Sequence, residues 1–585
     1  MERLKPVDVV VVGGGWTGLL MATEITSRTS LSVVVLERGG PARDLSDYGD
    51  GMDELDMLRY RIMQNIADET VTHRHSGKDR AVPMRQYGSF KPGTGVGGAG
   101  EHWGAISNRY RPDQFRLATH LREKYGAARL PENLAVQDWG FTYDDLEPYY
   151  WRAEQMMGVS GKAGNLRGSL IEGGDPFEGP RSHEFPNPPH KMSYFPTLFR
   201  KAAQELGYHP FPIPTATLSQ GYSNPDGIER PGCLYCGHCS RYGCMIGAKA
   251  QPSNTLLPVL TRKKNFSLRP NCWVRRVVHR DGKAEGVTYM DAAGKEMLQP
   301  ADVVVLSSWT INNARLLLLS GVGDPYDPVT RRGTLGKNLT HQLTEELPLY
   351  IGTPLNLFMG AGGLGYAIGE FAGDPPDQDP TAPILRGSEI RASTGGEGPI
   401  VSFGKIPQGE ANSAWGSAWK KAALKWYDKV GQITCEAAHL SYRQNYMDLD
   451  STYTDKFGDP LLRLTLDWTG HEKRQRAYLA KIMIALGKAI GARVGAPIHE
   501  TEEHYSVTYS QGTHVQGGVI LGDSPERSVV NPWLQHWRMP NLWITGGSAF
   551  PQNESANPTL TILAVTYRAA EAFVDRYVKK PGALA

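Results

Sequence analysis

Cys233, Cys236, Cys239 and Cys244 place four of the chain's six cysteines within twelve residues, in the run CLYCGHCSRYGC. Thiols at this density pair as disulfides, hold a zinc ion, or hold an iron–sulfur cluster that carries electrons. Six cysteines in 585 residues are too sparse for a disulfide scaffold, which belongs to short secreted domains. Zinc sites normally separate two CxxC pairs by a longer spacer, whereas this run is one compact C-x2-C-x2-C-x4-C. It is close to the C-x2-C-x2-C-x3-C run of bacterial ferredoxins, so an iron–sulfur cluster is the better fit. Spacing alone does not identify the metal, and disulfides and structural zinc stay open. Cys272 and Cys435 stand alone and read as buried structural residues.

The second constellation is Gly13-Gly-Gly15-Trp-Thr-Gly18. Gly13 permits a tight turn, Gly15 lets backbone approach a pyrophosphate, and Gly18 lets a helix pack closely on a strand. The surrounding elements are those such a loop needs. Val7 to Val12 is a β-branched run suited to a buried parallel strand, a helical stretch continues to about Arg28, and Leu31 to Leu36 is a second strand. Glu37 ends that strand where a carboxylate can bind ribose hydroxyls, which argues against a 2′-phosphate and leaves FAD and NAD. A second glycine-dense loop, Gly95-Val-Gly97-Gly98-Ala-Gly-Glu-His102-Trp103, favours the longer FAD.

Other elements organise the chain around these loops. Asn265 to Asp291 alternates like a meander with a hairpin turn at Asp281-Gly282. Ala301 to Leu306 reads as a buried strand, Ile311 to Ser320 as a helix, Pro460 to Trp468 as a strand and Arg474 to Ile490 as a helix. Asn541 to Ser548 is a strand ending in glycines, and Asn557-Pro-Thr-Leu-Thr leads into a terminal helix ending near Val578. The expected class is α/β, with a Rossmann-like FAD-binding domain interleaved with an α+β substrate-binding domain. Its expected parts are 1–160 (FAD-binding), 161–230 (substrate-domain or linker), 231–340 (cysteine loop and FAD-binding), 341–510 (substrate-binding) and 511–585 (FAD-binding with catalytic residues).

With 63 basic and 61 acidic side chains and no long run of one sign, neither a nucleic-acid groove nor a basic membrane patch is indicated. No apolar run reaches the roughly 18 residues that span a bilayer. The N-terminal MERLKPVDVVVVGGGWTG reads as the first strand rather than a signal peptide, because glycines interrupt its apolar run.

The two glycine loops, the THVQGG segment and the NPTLT tail resemble the glucose–methanol–choline family of flavin oxidoreductases. Segments such as VQDWGFTYDDLEPYY, GVSGKAGNLRG and GGDPFEGPRS, with the cysteine run, are similar to the flavin subunits of bacterial membrane-bound gluconate and other sugar and polyol dehydrogenases. The resemblance implies that His514 and Asn557 face the flavin. His514 would take the hydroxyl proton as hydride leaves the carbon, and Asn557 would position that hydroxyl. His439 and His504 carry no such context. It further implies flavin contacts from Gly13, Gly15, Gly18, Glu37, Gly95, Gly97, Gly98, Trp103, Val274, Gly546, Ser548 and Thr559. The Val-Gly-Gly-x-x-x-His-Trp spacing is similar to that of pyranose oxidases, where the histidine binds the flavin 8α-methyl group, so His102 is an expected covalent attachment point. Glu101 and Gly104 depart from the subfamily, which more often has an apolar residue before the His and Asn after the Trp.

Related sugar dehydrogenases carry a [3Fe-4S] cluster here, and Cys233, Cys239 and Cys244 match it best, with Cys236 spare or a fourth ligand to [4Fe-4S]. A cluster accepts one electron at a time, so beside a flavin it points to a dehydrogenase. The resemblance implies a multihaem cytochrome c subunit as acceptor and export with a small signal-bearing subunit to the periplasmic side of the inner membrane, with a cytoplasmic enzyme left open. The expected reaction is oxidation of a secondary alcohol, D-gluconate to 2-dehydro-D-gluconate, with sorbitol, fructose, 2-ketogluconate or a glycoside as alternatives. Two competitors are a flavin oxidase with structural zinc and a non-catalytic flavoprotein that leaves His514 and Asn557 without a role.

Overall fold

The computed structural model describes residues 1–48, 63–85, 90–376, 379, 381–394, 403–499, 502–507 and 513–584. The β-branched run Val7–Val12 is the strand expected, with Val9, Val10 and Val11 wholly buried. Each such side chain contributes about 1.5–3 kcal/mol on leaving water. Helix Trp16–Arg28 follows, and strand Val33–Leu36 lies parallel to the first, starting two residues later than the pattern suggested. Strand Glu296–Leu306 pairs parallel to Val7–Val12 on the other side, extending five residues earlier than the apolar run, and Leu542–Ile544 pairs parallel to it in turn.

Asp281 and Gly282 both take positive φ, 50° and 72°, which closes the hairpin between strands Trp273–Arg280 and Lys283–Met290. Phe266–Arg269, read as part of that meander, instead lies parallel to Val33–Leu36. Its neighbour is chosen by long-range packing, which local alternation does not encode.

A second, six-stranded sheet runs in the order Arg493–Val494, Leu343–Tyr350, Val430–Ala437, Ile390–Thr394, Leu364–Ile368, Phe211–Pro212, with every pair antiparallel. Three of its strands alternate in burial, so Thr344, Glu346, Arg391, Ser393, Gln432, Thr434 and Glu436 share one polar face. Register places Thr344 opposite Glu436 and sets Glu346 and Arg391 on either side of Thr434. Helix Gly470–Ala489 packs against this sheet. Pro460–Thr465 is a strand as expected, but it joins a different sheet, between Tyr446–Thr454 and Val71–Arg74. A two-residue ladder, Thr340–His341 with Val515–Gln516, brings the chain before the second sheet against the C-terminal segment. Among the described residues no helix is long and apolar enough to cross a membrane.

Close approach makes Gly18 irreplaceable. A Cβ there would sit 2.0 Å from the Gly13 carbonyl oxygen, so helix and loop must separate to admit it. Gly18→Ala is expected to destabilise by about 1–3 kcal/mol and to lower the flavin-to-protein absorbance ratio of purified protein, with wild-type flavin content as the contrary result.

Candidate active site

The two glycine loops interlock. Gly97 N donates to Gly14 O at 2.7 Å, Glu37 accepts from Gly14 N and Gly39 N at 2.8 Å each, and the N-terminus of helix Trp16–Arg28 carries no side-chain cap. Its free amides and positive end form an anion cradle. The cleft above it is walled by Gly13, Gly15, Glu37, Gly97, Val274 and Gly546. It continues into a second compartment across Trp16, Ala99, Gly100, Trp309 and Thr559, which line both. The two compartments have cavity volumes of about 270 and 430 Å³. Typical small-molecule pockets hold roughly 300–1,000 Å³, so the joined compartments admit a ligand longer than either would take alone. Gly18, Gly95 and Ser548 stand behind the walls rather than in them; Ser548 Oγ accepts from Asn313 at 3.0 Å.

Two buried ring nitrogens, Trp16 Nε1 and His102 Nε2, have no hydrogen-bond partner among the described residues, and both residues line the second compartment. Burial, with Lys249 and Lys91 nearby, pushes His102 down to about 3, so the ring is neutral. Trp103, beside it, donates to Ala250 O at 2.7 Å. Orphaned polar atoms between an anion cradle and a polar sheet are what a bound flavin's isoalloxazine end would meet, and the residues present fit FAD.

The catalytic candidates meet on the wall of the second compartment. Asn557 Nδ2 donates to His514 Nε2 at 3.2 Å, and Arg391 Nη1 donates to Asn557 Oδ1 at 3.0 Å. His514 Nδ1 donates to Gln342 Oε1. The Gln342 amide cannot turn over, because its Nε2 donates to the carbonyls of Glu554 at 2.7 Å and Glu436 at 3.2 Å. The proton therefore sits on Nδ1 and the lone pair on Nε2, the atom aimed at the cleft. Burial holds the His514 pKa below its ordinary value, with Glu436 at 4.0 Å pulling the other way. Burial would raise Glu436, but Arg391 at 2.8 Å and His514 outweigh it and keep it ionised. The helix Thr559–Ala572 opens on the cleft with an uncapped N-terminus, whose positive end favours negative charge there.

Gln342, Arg391 and Glu436 were not anticipated from sequence. For Arg391 and Glu436 the signal available was the polar face of the alternating strands, which marks a wetted wall but no role; Gln342, between two strands, carries no such signal. His439 is buried and accepts from His341 N at 3.1 Å, while His504 is exposed beside Asp467. Cys435 is buried, as expected. Cys272 is also buried but lines the dinucleotide cleft.

The cysteine run lies on one loop with all thiols free. Cys233 Sγ accepts from Tyr235 N at 3.3 Å, Cys239 Sγ from Gly362 N at 2.8 Å and Cys244 Sγ from Lys249 N at 3.5 Å; Cys236 is exposed. Burial raises Cys233 to about 12 and raises Cys239 as well. Among the described residues no three His, Cys, Asp or Glu side chains gather as a metal-holding group. Lys249, wholly buried, donates to the carbonyls of Trp103, Cys239 and Tyr242 at 3.0, 2.9 and 2.6 Å and so ties this loop to the His102 loop. Glu101, just before His102, accepts from Tyr48, Gln251 and Ser253 and anchors the same junction.

Two family models, both described as GMC oxidoreductase, match residues 190–344 and 441–566. The chain is 40% identical to the gluconate 2-dehydrogenase flavoprotein of Pantoea cypripedii, over all of this chain and 96% of that one. It is 24% identical to the fructose dehydrogenase large subunit of Gluconobacter japonicus, over 97% of this chain and 98% of that one. A crystal structure of pyridoxine 4-oxidase from Mesorbium loti superposes with a TM-score of 0.61 at 15% identity, covering 98% of this chain and 100% of that one. The chain belongs to the GMC oxidoreductase family and is an FAD-dependent oxidoreductase acting on CH–OH groups.

Removing the base tests the assignment of His514. His514→Ala is expected to lower kcat by about 10²–10⁴-fold with flavin still bound. Because the wild-type pKa is lowered, the acid limb of kcat/KM lies below the ordinary imidazole value of about 6.5. In Gln342→Glu a carboxylate faces Nδ1 and favours imidazolium, so the limb moves to higher pH; an unmoved limb would contradict the tautomer assignment.

Proposed function

We propose that this chain is the flavoprotein of a multisubunit dehydrogenase that oxidises a secondary alcohol of a sugar acid, D-gluconate to 2-dehydro-D-gluconate. The observation that carries the chemistry is the His514–Asn557 pair, with Nε2 basic and Asn557 Nδ2 donating beside it. A carbinol placed between them would give its hydroxyl proton to Nε2 and accept a hydrogen bond from Asn557. Bound FAD supplies the acceptor for the hydride that leaves the same carbon. Arg391 holds the Asn557 amide in place, and Gln342 holds the imidazole ring. Similarity to the gluconate 2-dehydrogenase flavoprotein supports the sugar-acid substrate.

We assign His102 as the covalent flavin attachment point, on the strength of its neutral, unpartnered Nε2. We assign Cys233, Cys239 and Cys244, whose sulfurs each accept a backbone amide, to a [3Fe-4S] cluster, with Cys236 outside it. Amide hydrogen bonds to sulfur are a means by which proteins tune such clusters. A cluster supplies a one-electron carrier, matching a cytochrome c acceptor subunit; that acceptor, a small export subunit and a periplasmic location complete the proposal.

Iron and acid-labile sulfide per flavin, measured on anaerobically purified protein with EPR before and after adding D-gluconate, test it together. Stoichiometric iron with a signal that changes on gluconate addition is expected. Zinc in place of iron, with peroxide formed in air, would overturn it in favour of an oxidase.

A further inference from the structure

Two cations line the catalytic compartment and form no ion pair within 4 Å among the described residues, although Glu346 and Glu436 line it too. Lys91 and Arg241, both half-buried, lie on the wall of the compartment that His514 and Asn557 also line. Neither makes an ion pair or a side-chain hydrogen bond among the described residues, whereas Arg391 and Lys405 on the same wall are held by Glu436 and Gln432.

Both are fixed in place. Phe90, next to Lys91, is buried, stacks on His341 at 5.0 Å and meets Trp309 edge-on at 5.7 Å. Arg241 N donates to His102 O at 2.8 Å, and Lys249 grips the next carbonyl, Tyr242 O. Arg241 also holds φ at 72°, a left-handed conformation that a non-glycine residue adopts at a cost of order 1–3 kcal/mol. The backbone is thus strained into aiming this side chain at the cleft.

The two charges act on each other. Burial and then Arg241 push the Lys91 ammonium down to about 7, against the pull of Glu346 and Glu436. Glu436 lies 4.0 Å from His514, so this cationic corner adjoins the catalytic pair. Like charges on one wall of a half-buried site repel, and a bound anion relieves that repulsion beyond what Glu346 and Glu436 supply.

We propose that Lys91 and Arg241 form an anion subsite that binds the substrate carboxylate and presents the neighbouring carbinol to His514. This deepens and rests on the reading of the substrate as a sugar acid. It assigns a substrate-reading role to the cysteine loop, because Arg241 lies within it. The subsite selects against neutral polyols, which leave the two cations unanswered.

The test uses flavin-loaded wild type, Lys91→Gln and the charge-keeping Lys91→Arg. Binding is read from the flavin absorbance change on titration with 2-deoxy-D-gluconate, which lacks the hydroxyl to be oxidised. Specificity is read as the ratio of kcat/KM for D-gluconate to that for sorbitol. Lys91→Gln is expected to weaken carboxylate binding and to lower the ratio, each by roughly 10- to 100-fold, and Lys91→Arg to restore most of both. Equal carboxylate affinity in all three proteins, or an unchanged ratio in Lys91→Gln while D-gluconate is still oxidised, would overturn the subsite and leave the proposed reaction standing. Carboxylate binding that weakens in Lys91→Gln, with D-gluconate bound by wild type but never reducing its flavin, would confirm the subsite and overturn that reaction.

Discussion

The hydrogen bond from His514 Nδ1 to Gln342 Oε1 is the constraint on which the active site depends. A buried imidazole is useful as a base only if the right nitrogen carries the lone pair, and nothing in histidine itself decides that. Here the decision is made by carbonyls of Glu554 and Glu436, which lock the glutamine amide in one orientation. The backbone of His514 is held as well, by Asn553 Nδ2 at 2.8 Å and Gln342 N at 3.3 Å. The separate ladder of Thr340–His341 with Val515–Gln516, just before strand Leu343–Tyr350, sets Gln342 beside His514.

The other end of the cleft is held by backbone rather than by side chains. Glycine loops 13–18 and 95–98 approach each other closely enough to hydrogen bond, and Glu37 spends its carboxylate partly on the amides of Gly14 and Gly39. Between the ends, Lys249 and Glu101 bind the cysteine loop to the His102 loop. A buried lysine is costly, and three carbonyl acceptors offset that cost only while both loops keep their places. The His102 loop, the cysteine loop and the Arg241 side chain are therefore coupled through one ammonium group.

What was legible in the sequence was what local periodicity and turn chemistry encode. Val7–Val12, the helix behind it and the Asp281-Gly282 hairpin follow from β-branched runs and glycine placement. Parallel partners did not follow, as with Phe266–Arg269 and Val71–Arg74, because their pairing is decided by packing across hundreds of residues. The site divides in the same way. His514 and Asn557 stand in short motifs that a family resemblance can locate. Arg391 and Glu436 occupy strands whose alternation distinguishes a polar face from a buried one but not an active-site group from a solvated residue, and Gln342 sits between strands Thr340–His341 and Leu343–Tyr350, where no alternation reads it. Lys91 and Arg241 become conspicuous only when the fold shows what does not stand beside them.

The most direct measurement of the central claim is the anaerobic single-turnover rate of flavin bleaching by D-gluconate carrying deuterium at C2, against unlabelled D-gluconate. Hydride leaving the carbinol carbon beside His514 predicts bleaching by both, slowed severalfold by deuterium. Bleaching at the same rate with both substrates, under conditions where substrate binding is complete, would contradict it.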